Sequence, residues 1–188
     1  MSVLINRMKK INKAFFTIND VEKLTSYSRG TLYVLLSRLV GSGQLIRLRG
    51  GLYILPERYG NLDSIANAFY TPSYLSFESA LSRYGIISQI PVTLTFATTR
   101  KSRRVTLGTV EVEYRKLKSA LFFGYKDAKG VLIAEPEKSL LDSLYIASRG
   151  RLKMEAQQLQ LKELNRKQLV KYLAKYPTTV KKMARQLL

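Results

Sequence analysis

The stretch Ser26 to Leu55, SYSRGTLYVLLSRLVGSGQLIRLRGGLYIL, limits what this chain can fold into more than any other. Leu32, Leu35, Leu36, Leu39 and Val40 recur at helical spacing, so a helix through them must be covered along one face only. Ser28 stands where an N-cap is needed, because its side-chain oxygen can take an orphan amide of the first turn. Gly41 and Gly43 end the helix, glycine adopting left-handed angles without a Cβ clash. Leu45–Arg49 and Leu52–Leu55 then read as two short strands around Gly50-Gly51, a pair that suits a primed two-residue turn. Away from the leucines the helix carries Gly30, Thr31, Tyr33, Val34, Ser37 and Arg38, with Arg29 at its shoulder. Arg47 and Arg49, two residues apart on one strand, are expected on one face of the ribbon.

The preceding segment gives this unit a direction. In Thr17–Leu24, Thr17 and Asp20 have capping-box spacing, and Ile18, Val21 and Leu24 face one way. A helix over Leu4–Phe15 supplies Leu4, Met8, Ile11 and Phe15 as a third wall. Three helices followed by a hairpin predict a winged helix-turn-helix, with the outer helix face in a major groove and the arginine wing on the backbone beside it. The same pattern alone is also an ordinary piece of core. The residues expected to touch DNA are Ser28, Arg29, Thr31, Tyr33, Ser37, Arg38, Arg47, Arg49 and Gly50.

Charge weighs in favour of a polyanion. The chain has 188 residues, 32 basic and 13 acidic, for a net charge of +19. Residues 1–60 hold ten basic and three acidic side chains, 61–150 twelve and eight, and 151–188 ten and two, so basic density sits at both ends. Nucleic acid or an anionic membrane surface would answer such a surplus. No apolar run reaches the roughly 18 residues a membrane span needs, and the N-terminus has no signal-peptide pattern; a cytoplasmic protein is expected, with no membrane partner. There is no cysteine and no histidine, which removes disulfides, thiolate metal sites and the commonest general base. No phosphate-cradling glycine motif replaces them. No enzyme, cofactor, catalytic residue or metal site is expected.

Beyond the wing, Pro56–Leu62 reads as a joint, so the division expected is 1–60 for the winged unit and 61–188 for the rest. A helix over Asp63–Tyr70 with Ile65, Ala66 and Phe69 inward is broken at Thr71-Pro72. A short strand, Tyr74–Phe77, and a small helix, Glu78–Tyr84, follow. Val92–Thr98 alternates with period two, as do Val105–Leu107 and Thr109–Leu117, with weaker strands at Leu121–Tyr125 and Gly130–Ala134. These predict a small, mostly antiparallel sheet with one wet face. The loop Thr98–Arg104 places Arg100, Lys101, Arg103 and Arg104 together, either as a second phosphate contact or as a solvated hairpin loop. Helices return from Glu137, with Leu140, Leu141, Leu144 and Tyr145 inward, then over Leu152–Leu164, after Asn165, and after Pro177. In the last, Lys181, Lys182 and Arg185 line either a DNA-facing or merely wet side. Glu135, Glu137 and Asp142 read as acids at a helix start and an i,i+4 pair of Asp142 with Lys138, not as a metal site. The fold class expected is α+β.

Four segments carry a family resemblance in their order and spacing: LRGGLYIL, YLSFESALSRYGI, VTLTFATTRKSRR and AEPEKSLLDSLY. Over roughly Thr17–Tyr145 the chain resembles the AbiE-type antitoxin and transcriptional regulator family of type IV toxin–antitoxin abortive-infection systems. The resemblance implies a winged helix-turn-helix that binds operator DNA and represses its own operon. It also implies a C-terminal α/β domain that acts as antitoxin against a nucleotidyltransferase-type toxin. One such winged domain covers a modest stretch of DNA, and no heptad zipper is present. A monomer in solution that pairs cooperatively on an inverted-repeat operator is therefore expected. A general RNA- or DNA-binding module without a toxin partner is the alternative.

Overall fold

Local capping chemistry sets the first elements. In the computed structural model, which describes residues 3–150 and 159–187, Thr17 Oγ1 accepts from the Asp20 amide at 3.2 Å and Asp20 Oδ2 accepts from the Thr17 amide at 2.8 Å. This reciprocal box starts helix α2, Ile18–Leu24. Burial pushes the Asp20 carboxyl up, but hydrogen bonds from Lys13 and Thr17 outweigh it and hold the group below its ordinary value. Helix α3, Arg29–Gly41, begins at Ser28, whose side chain accepts from the Thr31 amide, and ends as Gly43 turns to φ +70°.

Helix α1, Val3–Lys9, is shorter than its apolar spacing suggests. Phe16 and Thr17 are drawn out as strand β1, paired antiparallel with β3, Leu52–Ile54, so the chain before them cannot stay helical. Arg58 fixes that connection by donating to the carbonyls of Ile11, at 2.9 Å, and Lys13. Strand β2, Ile46–Arg49, completes a three-stranded sheet in the order β1-β3-β2. Leu4, Met8, Val21, Leu32, Leu36, Leu39 and Tyr53 form the core between helices and sheet.

The wing departs from expectation at its tip. Positive φ falls on Gly51, at +72°, and not on Gly50, which is not the primed pattern. A bulge accompanies it: Arg47 pairs with Tyr53 but Arg49 already pairs with Leu52. The extra residue moves Arg49 to the Leu52 side of the ribbon, so the two arginines do not share a face. The Leu52 side is itself covered. Leu48, Leu52 and Ile54 join one apolar cluster with Val105, Leu107 and Tyr114 of a second sheet. There Gly108 donates its amide to Leu48 O at 2.8 Å, and a Cβ on Gly108 would lie 3.1 Å from the Tyr59 hydroxyl.

That second sheet has six strands: β4 Ser73–Leu75, β5 Thr93–Thr98, β6 Arg103–Leu107, β7 Val110–Lys116, β8 Tyr125–Ala128 and β9 Val131–Ala134, in the order β6-β7-β5-β4-β9-β8. It is mixed, with β5 parallel to β7 and β4 parallel to β9. Three of its five pairings are antiparallel, as the mostly antiparallel expectation has it, and two are parallel: the loop after β5 carries the chain past one strand's place, and β7 returns into the gap. Nor is one whole face wet. Helix α4, Leu62–Phe69, and the wing cover Leu75, Phe96 and Tyr114. Helices α5 Phe77–Arg83, α6 Pro136–Ala147, α7 Arg166–Leu173 and α8 Thr178–Leu187 cover Tyr74 and Ala97 on the other face. The α+β class holds, with eight α-helices and these two sheets among the described residues. The strand expected over Leu121–Tyr125 starts only at Tyr125, because Leu121 closes a 3-10 turn, Ser119–Leu121. Of the helix expected over Leu152–Leu164, residues 152–158 lie outside the described residues; Leu159 makes a single bridge to Ile87, and Leu161–Glu163 is a 3-10 turn.

Helix α6 takes charge into this core. Lys138 and Asp142, one turn apart, are both 0% exposed and form an ion pair. Asp142 also accepts from the hydroxyls of Tyr74 (2.9 Å), Ser76 (2.9 Å) and Tyr176 (2.7 Å). Lys138 Nζ donates to Tyr74 Oη at 2.8 Å and lies 5.0 to 5.5 Å from the ring centroids of Tyr74, Phe123 and Tyr176. Burial pushes the Lys138 ammonium down, and the adjoining carboxylate resists. Burial and the Asp142 charge push the Tyr74 and Tyr176 phenols well up. Glu137 accepts the Asn165 amide at 2.7 Å at the start of α7, and Glu135 accepts from the Tyr172 hydroxyl. Burial and that bond push the Tyr172 phenol up to about 12.

Candidate nucleic-acid interface

Helix α3 presents the outer face its spacing predicts. Arg29, Gly30, Thr31, Tyr33, Val34, Ser37 and Arg38 are exposed, while Leu32, Leu36 and Leu39 are buried. Two of these residues are already engaged. Arg29 donates to Asn19 and lies 3.6 Å from Glu22, so it braces α3 against α2. Thr31 Oγ1 lies 3.0 Å from Ser28 Oγ, the same oxygen that caps the helix. Arg38 makes no ion pair among the described residues.

The wing and the basic loop meet across two aromatic rings. Phe69 ends α4 and Tyr70 follows it. The Arg49 guanidinium lies 5.7 Å from the Phe69 ring centroid, Arg103 lies 5.6 Å from Phe69 and 5.7 Å from Tyr70, and Arg100 lies 4.5 Å from Tyr70. Tyr70 Oη donates to the Lys101 carbonyl at 3.0 Å, holding the loop over the ring. Phe15 packs edge-on against Phe69. None of Arg49, Arg100 and Arg103 pairs with a carboxylate among the described residues. The rings attract the cations through their faces; Arg100 also donates to the Thr71 carbonyl at 3.3 Å, and the remaining guanidinium edges face outward.

The other expected residues do not join this group. Arg47 stacks on Tyr53 instead, at 5.5 Å. Arg104 points to the opposite side of β6 and lies 3.5 Å from Glu113. Lys101 is exposed, and Gly50 is exposed at the wing tip with open space around it. Phe69 and Tyr70 were not legible as part of a site, since Tyr70 and Lys101 are 31 residues apart and no local pattern links them. In the C-terminal helices Lys182 and Arg185 of α8 are exposed and Lys181 is half-buried, while Val180 and Ala184 face the core. No group of three His, Cys, Asp or Glu residues that could hold a metal occurs among the described residues. Among the same residues no helix is long and apolar enough to cross a membrane.

No protein-family model matches the chain, and no curated protein sequence does. Among solved structures, the crystal structure of the RV2827C protein from Mycobacterium tuberculosis superposes with a TM-score of 0.64 at 16% sequence identity, over 98% of this chain and 74% of that one. At that identity the likeness is one of fold.

Proposed function

We propose that the chain is a DNA-binding transcriptional repressor whose first 60 residues act as a winged helix-turn-helix. The observation that carries this is the row of Arg49, Arg100 and Arg103 over Phe69 and Tyr70, three guanidiniums held in place with no carboxylate partner among the described residues, together with the capped, outward-facing helix α3. Fixed cations with no carboxylate partner among the described residues suit phosphates, which position a protein, while a helix face in the major groove reads bases. The rings favour duplex DNA over a single strand. Tyr70 is only 8% exposed and Phe69 is half-buried, and arginines lie over both, so neither ring is a free stacking platform for bases.

The wider reading adds autoregulation on an inverted repeat and neutralisation of a nucleotidyltransferase-type toxin encoded nearby. The order of the four resembling segments supports that part. The alternative, a general nucleic-acid-binding module, draws on the exposed cations of α7 and α8, such as Arg166, Lys167, Lys171, Lys182 and Arg185. A mobility-shift titration separates the two. The repressor reading expects the duplex upstream of the chain's own gene to be bound far more tightly than random duplex or single-stranded RNA of equal length. Equal affinity for all three would replace it with the general module. Growth rescue upon induction of the adjacent gene tests the antitoxin part independently.

A further inference from the structure

Three of the large apolar side chains left in water, Tyr27, Tyr33 and Val34, fall within eight residues of each other at the start of α3, at 54%, 51% and 53% exposure. Little else on that half of the helix can read a base. Guanine is read by a bidentate Arg or Lys, and adenine by Asn or Gln. Helix α3 contains no Asn, Gln or Lys. Of its two arginines, Arg29 is held by Asn19 and Glu22, and Arg38 lies in the last turn. The Thr31 hydroxyl is taken up by Ser28, which leaves its methyl as the free group. Gly30 has nothing within 4 Å of where a Cβ would be, so it adds no bulk beside these groups. What the first two turns offer for contact is chiefly the Val34 and Thr31 methyls and the Tyr33 ring, with the Ser37 hydroxyl further along the same face, and the base-edge group that matches the methyls and ring is the thymine 5-methyl, which only the major groove displays.

We infer that α3 reads thymine methyl groups through Val34, Thr31 and Tyr33, so that the bound sequence is thymine-rich at the centre of the contact, with Arg38 adding at most one guanine at its edge. The inference rests on the DNA-binding reading above. The net positive first third supplies the attraction, and the apolar face supplies the selection.

The test uses the full chain and a duplex enriched from a random-sequence pool, then resynthesised with deoxyuridine in place of every thymidine. That exchange removes the methyls and keeps the charge and pairing edges. By the burial value of one methylene, affinity is expected to fall roughly fourfold for each contacted methyl. In Val34→Ala the ratio of affinities for the two duplexes is expected to shrink. Equal affinity of the parent chain for both duplexes would overturn the inference while leaving DNA binding intact, and so would an unchanged ratio in Val34→Ala. If no duplex is enriched or bound even at low salt, the DNA-binding reading itself fails and takes this inference with it.

Discussion

Two places in the molecule put cations against aromatic rings, and they differ in one respect that decides what each does. At the wing, Arg49, Arg100 and Arg103 lie exposed over Phe69 and Tyr70 and pair with no carboxylate among the described residues. In α6, Lys138 lies among Tyr74, Phe123 and Tyr176 with no exposure at all, and Asp142 answers its charge. A buried unpaired ammonium would cost several kcal/mol of desolvation, so the second arrangement exists only with its acid. An exposed guanidinium needs no acid, and its free edge can exchange water for a phosphate at little cost. The ring chemistry is shared; the carboxylate separates a fold-holding cation from one open to a partner.

Removing the acid should produce the largest effect. Asp142→Ala leaves Lys138 buried alone and is expected to destabilise the fold by about 3–5 kcal/mol, read as a lower urea midpoint. Lys138→Met with Asp142→Asn should recover part of that loss, because it removes both charges while keeping an acceptor for the Tyr74, Ser76 and Tyr176 hydroxyls. A cost of the single change near zero would erase the distinction between the two regions.

The same network gives the alkaline limit. The Tyr74 and Tyr176 phenols are raised in the fold, so their contribution is present below about pH 10, the unfolded tyrosine value, and lost as pH rises through their folded values. Lys138, depressed in the fold, works the other way, adding stability as pH climbs toward the unfolded lysine value. Two phenols against one ammonium leave a net fall above about pH 10. Phenolate absorbance should therefore show these two tyrosines ionising together with loss of far-ultraviolet ellipticity; a separate step with the fold intact would contradict their burial.

At the wing the expected pattern is reversed. Changing Arg49, Arg100 and Arg103 together to alanine should leave the urea midpoint nearly unchanged. It should flatten the dependence of log affinity on log salt by roughly 0.9 for each phosphate that is no longer neutralised. An unaltered slope would mean that these cations are only solvated surface. Arg38→Ala should matter on the enriched duplex alone, by about 1–3 kcal/mol if it pairs with a guanine, and hardly at all on random DNA. The smallest effect belongs to a helix cap that is part of neither cation cluster. Thr17→Ala should cost about 1 kcal/mol of stability through the start of α2, with the salt slope unchanged.

The sequence by itself determined the elements whose causes lie within a turn or two of the chain. The capping box at Thr17 and Asp20, the Ser28 cap, the leucine stripe of α3, the strands around Gly50-Gly51 and the Asn165 cap of α7 were all legible, because side chain and backbone meet there within a few residues. Even the ion pair of Lys138 with Asp142 could be read from its i,i+4 spacing. Tertiary structure alone decided that this pair is buried, since its cover comes from Tyr74 and Tyr176, remote in the chain. It decided the mixed order of the second sheet, because period-two alternation fixes which way a side chain points but not which strand lies beside it. It decided that Arg49 leaves Arg47 and joins Arg100 and Arg103: a bulge in β2 moved one arginine across the ribbon, and rings at the end of α4 gathered cations that no local pattern connects.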